Sequence, residues 1–217
     1  SGWPYRIATD SQRNHMPANN EQGGVTIRVQ AFDNAGNEGA WSNSIHYTYD
    51  ETRPTIEISS PAIDNSYQNE SFNIVVNASD TNSGLNNVVV HVYDESNTIV
   101  EDCDVFSLGG ISTRTVTCNI NTTEHSDGIY TIETNAYDLA GNMSQTLSRL
   151  FTIDTTAPEV KVISHNDGDF VHGTVTITGE ISDINLSHYW FVIVDLNGTE
   201  VAGPGTVPSK DENITTS

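Results

Sequence analysis

The feature that most constrains this chain is an internal repeat of about one hundred residues. Ala31-Phe32-Asp33-Asn34-Ala35-Gly36-Asn37 returns 105 positions later as Ala136-Tyr137-Asp138-Leu139-Ala140-Gly141-Asn142. Further on, Asp50-Glu51-Thr52-Arg53-Pro54 returns 104 positions later as Asp154-Thr155-Thr156-Ala157-Pro158. Two blocks in the same order at nearly the same spacing mark one structural unit used more than once. The chain must therefore fold as an array of like modules.

The blocks also say what the module is made of. Val25, Ile27, Val29 and Ala31 alternate with polar residues, as do Tyr130, Ile132, Thr134 and Ala136. A period of two is that of a strand with one buried face. The Asp-x-Ala-Gly-Asn segment that follows reads as a tight turn, because Asp and Asn bond locally to backbone and Gly accepts positive φ. The return strands end in Tyr47-Thr48-Tyr49 and Leu150-Phe151-Thr152-Ile153, so each repeat closes with a hairpin.

After each proline junction comes a short first strand, carrying Ile56 and Ile58 or Val160 and Val162. A second carries Phe72, Ile74, Val76 and Ala78 or Val175, Ile177, Gly179 and Ile181, and closes at Asp80 or Asp183. A third spans 88–93 or 189–194, and each third strand runs into an Asp-rich turn. No segment has a helical period. Short strands, frequent turns and a unit of this length predict an all-β chain of tandem immunoglobulin-like β-sandwiches. The expected domains are 51–154 as one complete sandwich, 1–50 as the C-terminal part of a preceding repeat, and 155–217 as the N-terminal part of a following one.

Charge narrows the function. The chain carries 29 acidic side chains against 8 basic ones, a formal charge of −21, and its only lysines are Lys161 and Lys210. A nucleic-acid partner needs cationic patches that displace counterions, and is excluded. An anionic membrane surface is disfavoured for the same reason, and no apolar run approaches the roughly 20 residues of a membrane span. Two readings of the acidity remain: a solvated surface that keeps an extracellular protein soluble, and a supply of carboxylates for Ca²⁺.

Cys103 and Cys118 are the two cysteines and flank a reversal at Gly109-Gly110. Val116, Cys118 and Ile120 share one strand face, which turns Cys118 inward. A disulfide between them closes a short loop and belongs to an oxidising compartment; a pair of buried free thiols is the alternative. Residues 51–154 contain no lysine, so a Lys–Asn isopeptide cross-link cannot form there.

In Asp33-Asn34-Ala35-Gly36-Asn37, Asp138-Leu139-Ala140-Gly141-Asn142 and Asp154-Thr155-Thr156-Ala157-Pro158, the chain resembles the bacterial Ig-like repeats of surface adhesins, surface-layer proteins and secreted multidomain proteins. Arg53 departs from the small residue usual before the junction proline. The resemblance implies an extracellular or cell-surface location. It also implies partners that are neighbouring Ig-like domains of the same protein or like subunits, with surface glycans as a further candidate. Similar repeats bind calcium at their junctions, which points to Asp50 and Glu51 at one junction and Asp154 at the other, with Asp80, Asp138 and Asp183 contributing from strand ends. Capping of backbone by these Asp side chains is the competing reading. No twelve-residue EF-hand loop occurs; Asp167-Gly168-Asp169 reads as a turn.

No catalytic constellation emerges. The seven histidines are dispersed, with His188 read as strand packing, and neither a nucleophile elbow nor a phosphate loop is present. Trp3, Trp41 and Trp190 fall in different repeats and read as core or interface residues rather than a sugar platform. Asp-x-Asn-x-Ser/Thr at Asn185, Asn197 and Asn213 resembles an extended bacterial glycosylation acceptor.

The expected function is a non-catalytic structural module: a stalk, surface-layer unit or filament. A ligand-binding adhesin or carbohydrate-binding module is one alternative, and spacer domains of a secreted enzyme another. If the chain ends are native, one chain's opening strands and another's closing hairpin share a sandwich, giving head-to-tail assembly; a piece of a longer chain is the alternative.

Overall fold

Alternation of buried and exposed residues runs through the longest strands, and it stacks them into two layers. The computed structural model describes residues 23–202 and 214–216, and the chain divides into two compact units between Ile153 and Asp154.

The first unit begins with an antiparallel hairpin of β1 (Gly23–Ile27) and β2 (Ile45–Tyr49). A sandwich follows. Its smaller sheet is β3 (Thr55–Ser60), β5 (Phe72–Ser79) and β8 (Thr113–Ile120), with β5 central. The larger sheet orders β4 (Ser66–Gln68), β10 (Leu147–Ile153), β9 (Gly128–Asp138), β6 (Leu85–Tyr93) and β7 (Ile99–Asp102). β4 lies parallel to β10, and the other pairs in both sheets are antiparallel. First and second strands in one sheet, with the closing hairpin in the other, is the immunoglobulin arrangement.

Why these strands face one another is visible in their residues. Ile74, Val76 and Ala78 of β5 and Val116, Cys118 and Ile120 of β8 point inward. They meet Val88, Val90 and Val92 of β6 and Tyr130, Ile132 and Ala136 of β9. At one end of this core Phe151 stacks on Tyr130 at 5.5 Å between ring centroids and takes Phe72 edge-on at 5.2 Å. The Tyr130 hydroxyl donates to the Ser126 carbonyl at 2.8 Å, so the buried phenol is satisfied where the chain enters β9. This is the tyrosine corner of Ig-like domains. Cys103 and Cys118 are bonded, with Cα atoms 5.8 Å apart. Cys103 follows β7 and Cys118 lies on β8, so the bond ties one sheet to the other.

The second unit holds β11 (Glu159–Val162), β12 (Ile177–Ser182) and β15 (Ile214–Thr216) in one antiparallel sheet, and β13 (Ile193–Val194) paired with β14 (Glu200–Ala202). Its registers copy those of the sandwich. Ile177 faces Thr216 and Gly179 faces Ile214, as Ile74 faces Cys118 and Val76 faces Val116. The hairpin β1–β2 makes a second copy. Gly23 faces Tyr49 and Ile27 faces Ile45, as Gly128 faces Ile153 and Ile132 faces Arg149.

Three local expectations change. The strand expected over 189–194 is reduced to Ile193–Val194. Trp190 is 68% exposed, Trp41 is 52% exposed and carries the Arg28 guanidinium 4.5 Å above its ring, and His188 is exposed rather than packed in a strand. Trp3 lies outside the described residues. The reason for the exposure of Trp190 is topological: in the sandwich, β9 lies beside β6 and completes its sheet, and among the described residues the second unit has no counterpart of β9 or β10.

Candidate metal centre

Three strand ends of the first unit bring their acids to one point. Asp50 follows β2, Asp80 follows β5 and Asp138 ends β9; they are 7%, 3% and 1% exposed. One carboxylate oxygen from each lies within 4.8 Å of the others.

Each carboxylate is aimed by its own loop. The Asp80 Oδ1 accepts the Asn82 N–H at 3.1 Å and the Gly84 N–H at 2.7 Å. Gly84 holds φ at +77°, and a Cβ there would sit 2.1 Å from the Gly110 carbonyl oxygen, so this loop requires glycine. Asp138 opens the Asp-x-Ala-Gly-Asn turn: its Oδ1 accepts the Asn142 N–H and its Oδ2 the Asn142 side-chain amide, both at 2.8 Å. The same amide donates to the Asp50 carbonyl at 3.0 Å, tying the closing turn to the linker. Asp50 Oδ1 accepts the Thr52 N–H and Oδ2 the Ser83 N–H, both at 2.9 Å.

Backbone amides satisfy much of this cluster, as expected of capping carboxylates, but one acceptor remains. The Asp80 Oδ2 is buried and has no hydrogen-bond partner. Carboxylates brought this close carry like charge with no cation among them in the cluster. Burial pushes the Asp50 carboxyl up, yet hydrogen bonding from Ser83 and from the Thr52 N–H outweighs it and leaves the group below its ordinary value. Asp50 is therefore held ionised among acids. Hard oxygen donors, an unpartnered buried carboxylate oxygen and uncompensated negative charge fit Ca²⁺, which takes six to eight oxygens. Asp50, Asp80 and Asp138 would hold it.

The other expected ligands lie elsewhere. The exposed Glu51 accepts a hydrogen bond from the Tyr49 hydroxyl, which pushes that phenol above its ordinary value. It stays out of the cluster because neighbouring side chains in an extended segment point to opposite sides. Asp154 and Asp183 of the second unit are half-buried and bridged through Asn185, whose N–H donates to Asp183 at 2.7 Å and whose side-chain amide donates to Asp154 at 2.9 Å. That bond engages the amide of one glycosylation candidate. Asn197 sits in an exposed turn with its N–H on Asp195 at 2.8 Å, and Asn213 lies outside the described residues. Sequence reasoning missed Ser83 and Gly84; a Ser-Gly pair three residues beyond a strand-ending Asp was the signal available.

Comparison with known proteins bears on the fold. Residues 54–133 match a family model described as a bacterial Ig domain, and residues 3–51 one described as a bacterial Ig-like domain. Among solved structures, a mutant of the SrpA adhesin from Streptococcus sanguinis is similar at 17% identity and a TM-score of 0.32, over 49% of this chain and 60% of that one. This chain thus spans about 60% of that chain's length. No curated protein matches.

Proposed function

Because this chain is built of bacterial Ig-like domains, we propose that it is a non-catalytic structural module of an extracellular or cell-surface repeat protein, stiffened at its junction by Ca²⁺. Bacterial Ig-like domains are generally non-catalytic, and no helix of the described residues is long and apolar enough to cross a membrane. The observation that carries the reading is the convergence of Asp50, Asp80 and Asp138, with Asp80 Oδ2 buried and unpartnered. A cation there links the linker residue Asp50 to two strand ends of the domain that follows it. It thereby adds to the bonds from Ser83 and Asn142 that already hold Asp50 to that domain.

The test is thermal unfolding with and without Ca²⁺. At one hundred times the dissociation constant, binding to the folded form adds about 2.7 kcal/mol. For a domain of this size that raises the midpoint by on the order of 10 °C. Asp80→Asn removes the shift, whereas an unchanged midpoint in the original protein overturns the calcium reading.

A second observation favours assembly through shared sandwiches. The second unit repeats the registers of β5–β8, and the hairpin β1–β2 repeats those of β9–β10. Residues 23–49 thus carry strands for which the described residues of 154–216 show no counterpart. A 217-residue polypeptide that assembles in this way gives concentration-dependent species well above 23.6 kDa. A constant mass of 23.6 kDa at all concentrations contradicts it.

A further inference from the structure

We propose that His91, Asp102 and Asp104 form a binding site for a first-row transition-metal ion of the Zn²⁺ class, on the outer face of the larger sheet and separate from the junction carboxylates. Alternation places these residues. Val90 and Val92 turn into the core, so His91 between them turns outward. Asp102 is its cross-strand partner on β7. Cys103 is committed inward to Cys118, and strand alternation then sends Asp102 and Asp104 to the opposite side. The disulfide thus fixes the pair of acids that face the imidazole.

The geometry suits a metal. The His91 Nε2 lies 3.3 Å from Asp104 Oδ2 and 3.9 Å from Asp102 Oδ1, and all three donor atoms lie within 4.8 Å of one another. Around a tetrahedral ion with bonds of about 2.0 to 2.1 Å, donor atoms sit roughly 3.3 Å apart. Little movement separates the present arrangement from a coordinating one.

Each donor is also held from behind. His91 Nδ1 lies 3.3 Å from the Tyr93 hydroxyl; the tautomer that donates there leaves the Nε2 lone pair facing the carboxylates. Asp104 Oδ1 accepts the Val90 N–H at 2.8 Å, and Asp102 Oδ1 accepts the Asp104 N–H at 3.1 Å. Such outer-shell bonds orient ligands and fix the imidazole tautomer. The exposed Glu133 stands across from His91 on β9, adding negative charge. No lysine lies in 51–154, and Arg149, on β10 of the same sheet, is turned away, donating to the Ile58 and Pro61 carbonyls. A mixed nitrogen and oxygen donor set favours zinc, cobalt, nickel or copper over calcium.

The experiment is titration of the tag-free, disulfide-intact chain with Zn²⁺, and with Co²⁺ followed by visible absorption, in excess Ca²⁺. One ion binds per chain at this site, with a Co²⁺ spectrum of low coordination number. His91→Gln weakens binding at least tenfold, Asp104→Asn does likewise, and Asp80→Asn leaves it unchanged. His91 is half-buried on the outer face of the sheet, and Gln there is of similar size, so the variant retains the unfolding midpoint of the parent. Absence of binding below about 100 µM Zn²⁺, or affinity unaltered by His91→Gln, overturns the proposal and leaves a simple His–Asp contact. Loss of binding in Asp80→Asn alone overturns it as well, by moving the ion to the junction.

Discussion

At Asp50 and at Asp154 the chain makes the same short-range bonds, yet only the first acid is buried. The Thr52 N–H donates to Asp50 at 2.9 Å, and the Thr156 N–H to Asp154 at 3.3 Å. The Asn82 N–H donates to Asp80 at 3.1 Å, and the Asn185 N–H to Asp183 at 2.7 Å. The divergence begins where the closing turn enters. Asp138 supplies a third carboxylate and Asn142 reaches the Asp50 carbonyl; among the described residues the second junction has neither. There the Asn185 amide spans to Asp154 instead. The junction is thus a composite of linker, second-strand end and closing turn. Two of the three parts do not reproduce its buried acid cluster.

The turns themselves sharpen the point. Asp33 accepts the Asn37 N–H at 2.8 Å and the Asn37 amide at 2.7 Å, as Asp138 does from Asn142. Asn37 holds the exposed Asp33 carboxyl below its ordinary value. The same motif therefore builds the same turn in both places. Burial and a place in the cluster come only where a linker and a second-strand end surround it.

The largest effect is expected from loosening the complete sandwich beneath the first junction. Replacing Cys103 and Cys118 by Ala removes a cross-link spanning 15 residues, which costs about 3 kcal/mol on the loop-entropy estimate. Denaturant unfolding of the first unit shifts accordingly, while the second unit, which has no cysteine, does not change. A smaller and more pointed change is Asn142→Ala. It deletes bonds to Asp138 and to the Asp50 carbonyl in a partly buried setting, costing about 1 to 2 kcal/mol. Asn37→Ala in the exposed copy of the turn costs less, within about 0.5 kcal/mol. Equal effects in the two turns would show that the contact to the linker adds nothing.

Much of this was legible in the sequence because two kinds of signal are local. Alternation of Ile74, Val76 and Ala78, or of Ile132, Thr134 and Ala136, reflects a core face directly. The recurrence of Asp-x-Ala-Gly-Asn reflects a turn that bonds to itself. The inward Cys118 followed from the same alternation, and the structure pairs it with Cys103. What stayed hidden depends on partners far apart in the chain. β4 and β7 are short and carry few apolar residues, so only their pairing with β10 and β6 reveals them. Asp104 faces His91 because a disulfide turns Cys103 inward, and no spacing rule contains that. Trp190 reads as core from its neighbours, but its exposure depends on which strands are present to cover it.

The most direct measurement is a crystal structure with Ca²⁺, or with a lanthanide in its place, located by anomalous scattering. One peak is expected about 2.3 to 2.6 Å from oxygens of Asp50, Asp80 and Asp138, and none between Asp154 and Asp183 in the absence of a closing turn. A junction at Asp50 that holds only water, or a peak confined to Asp154 and Asp183, would contradict it.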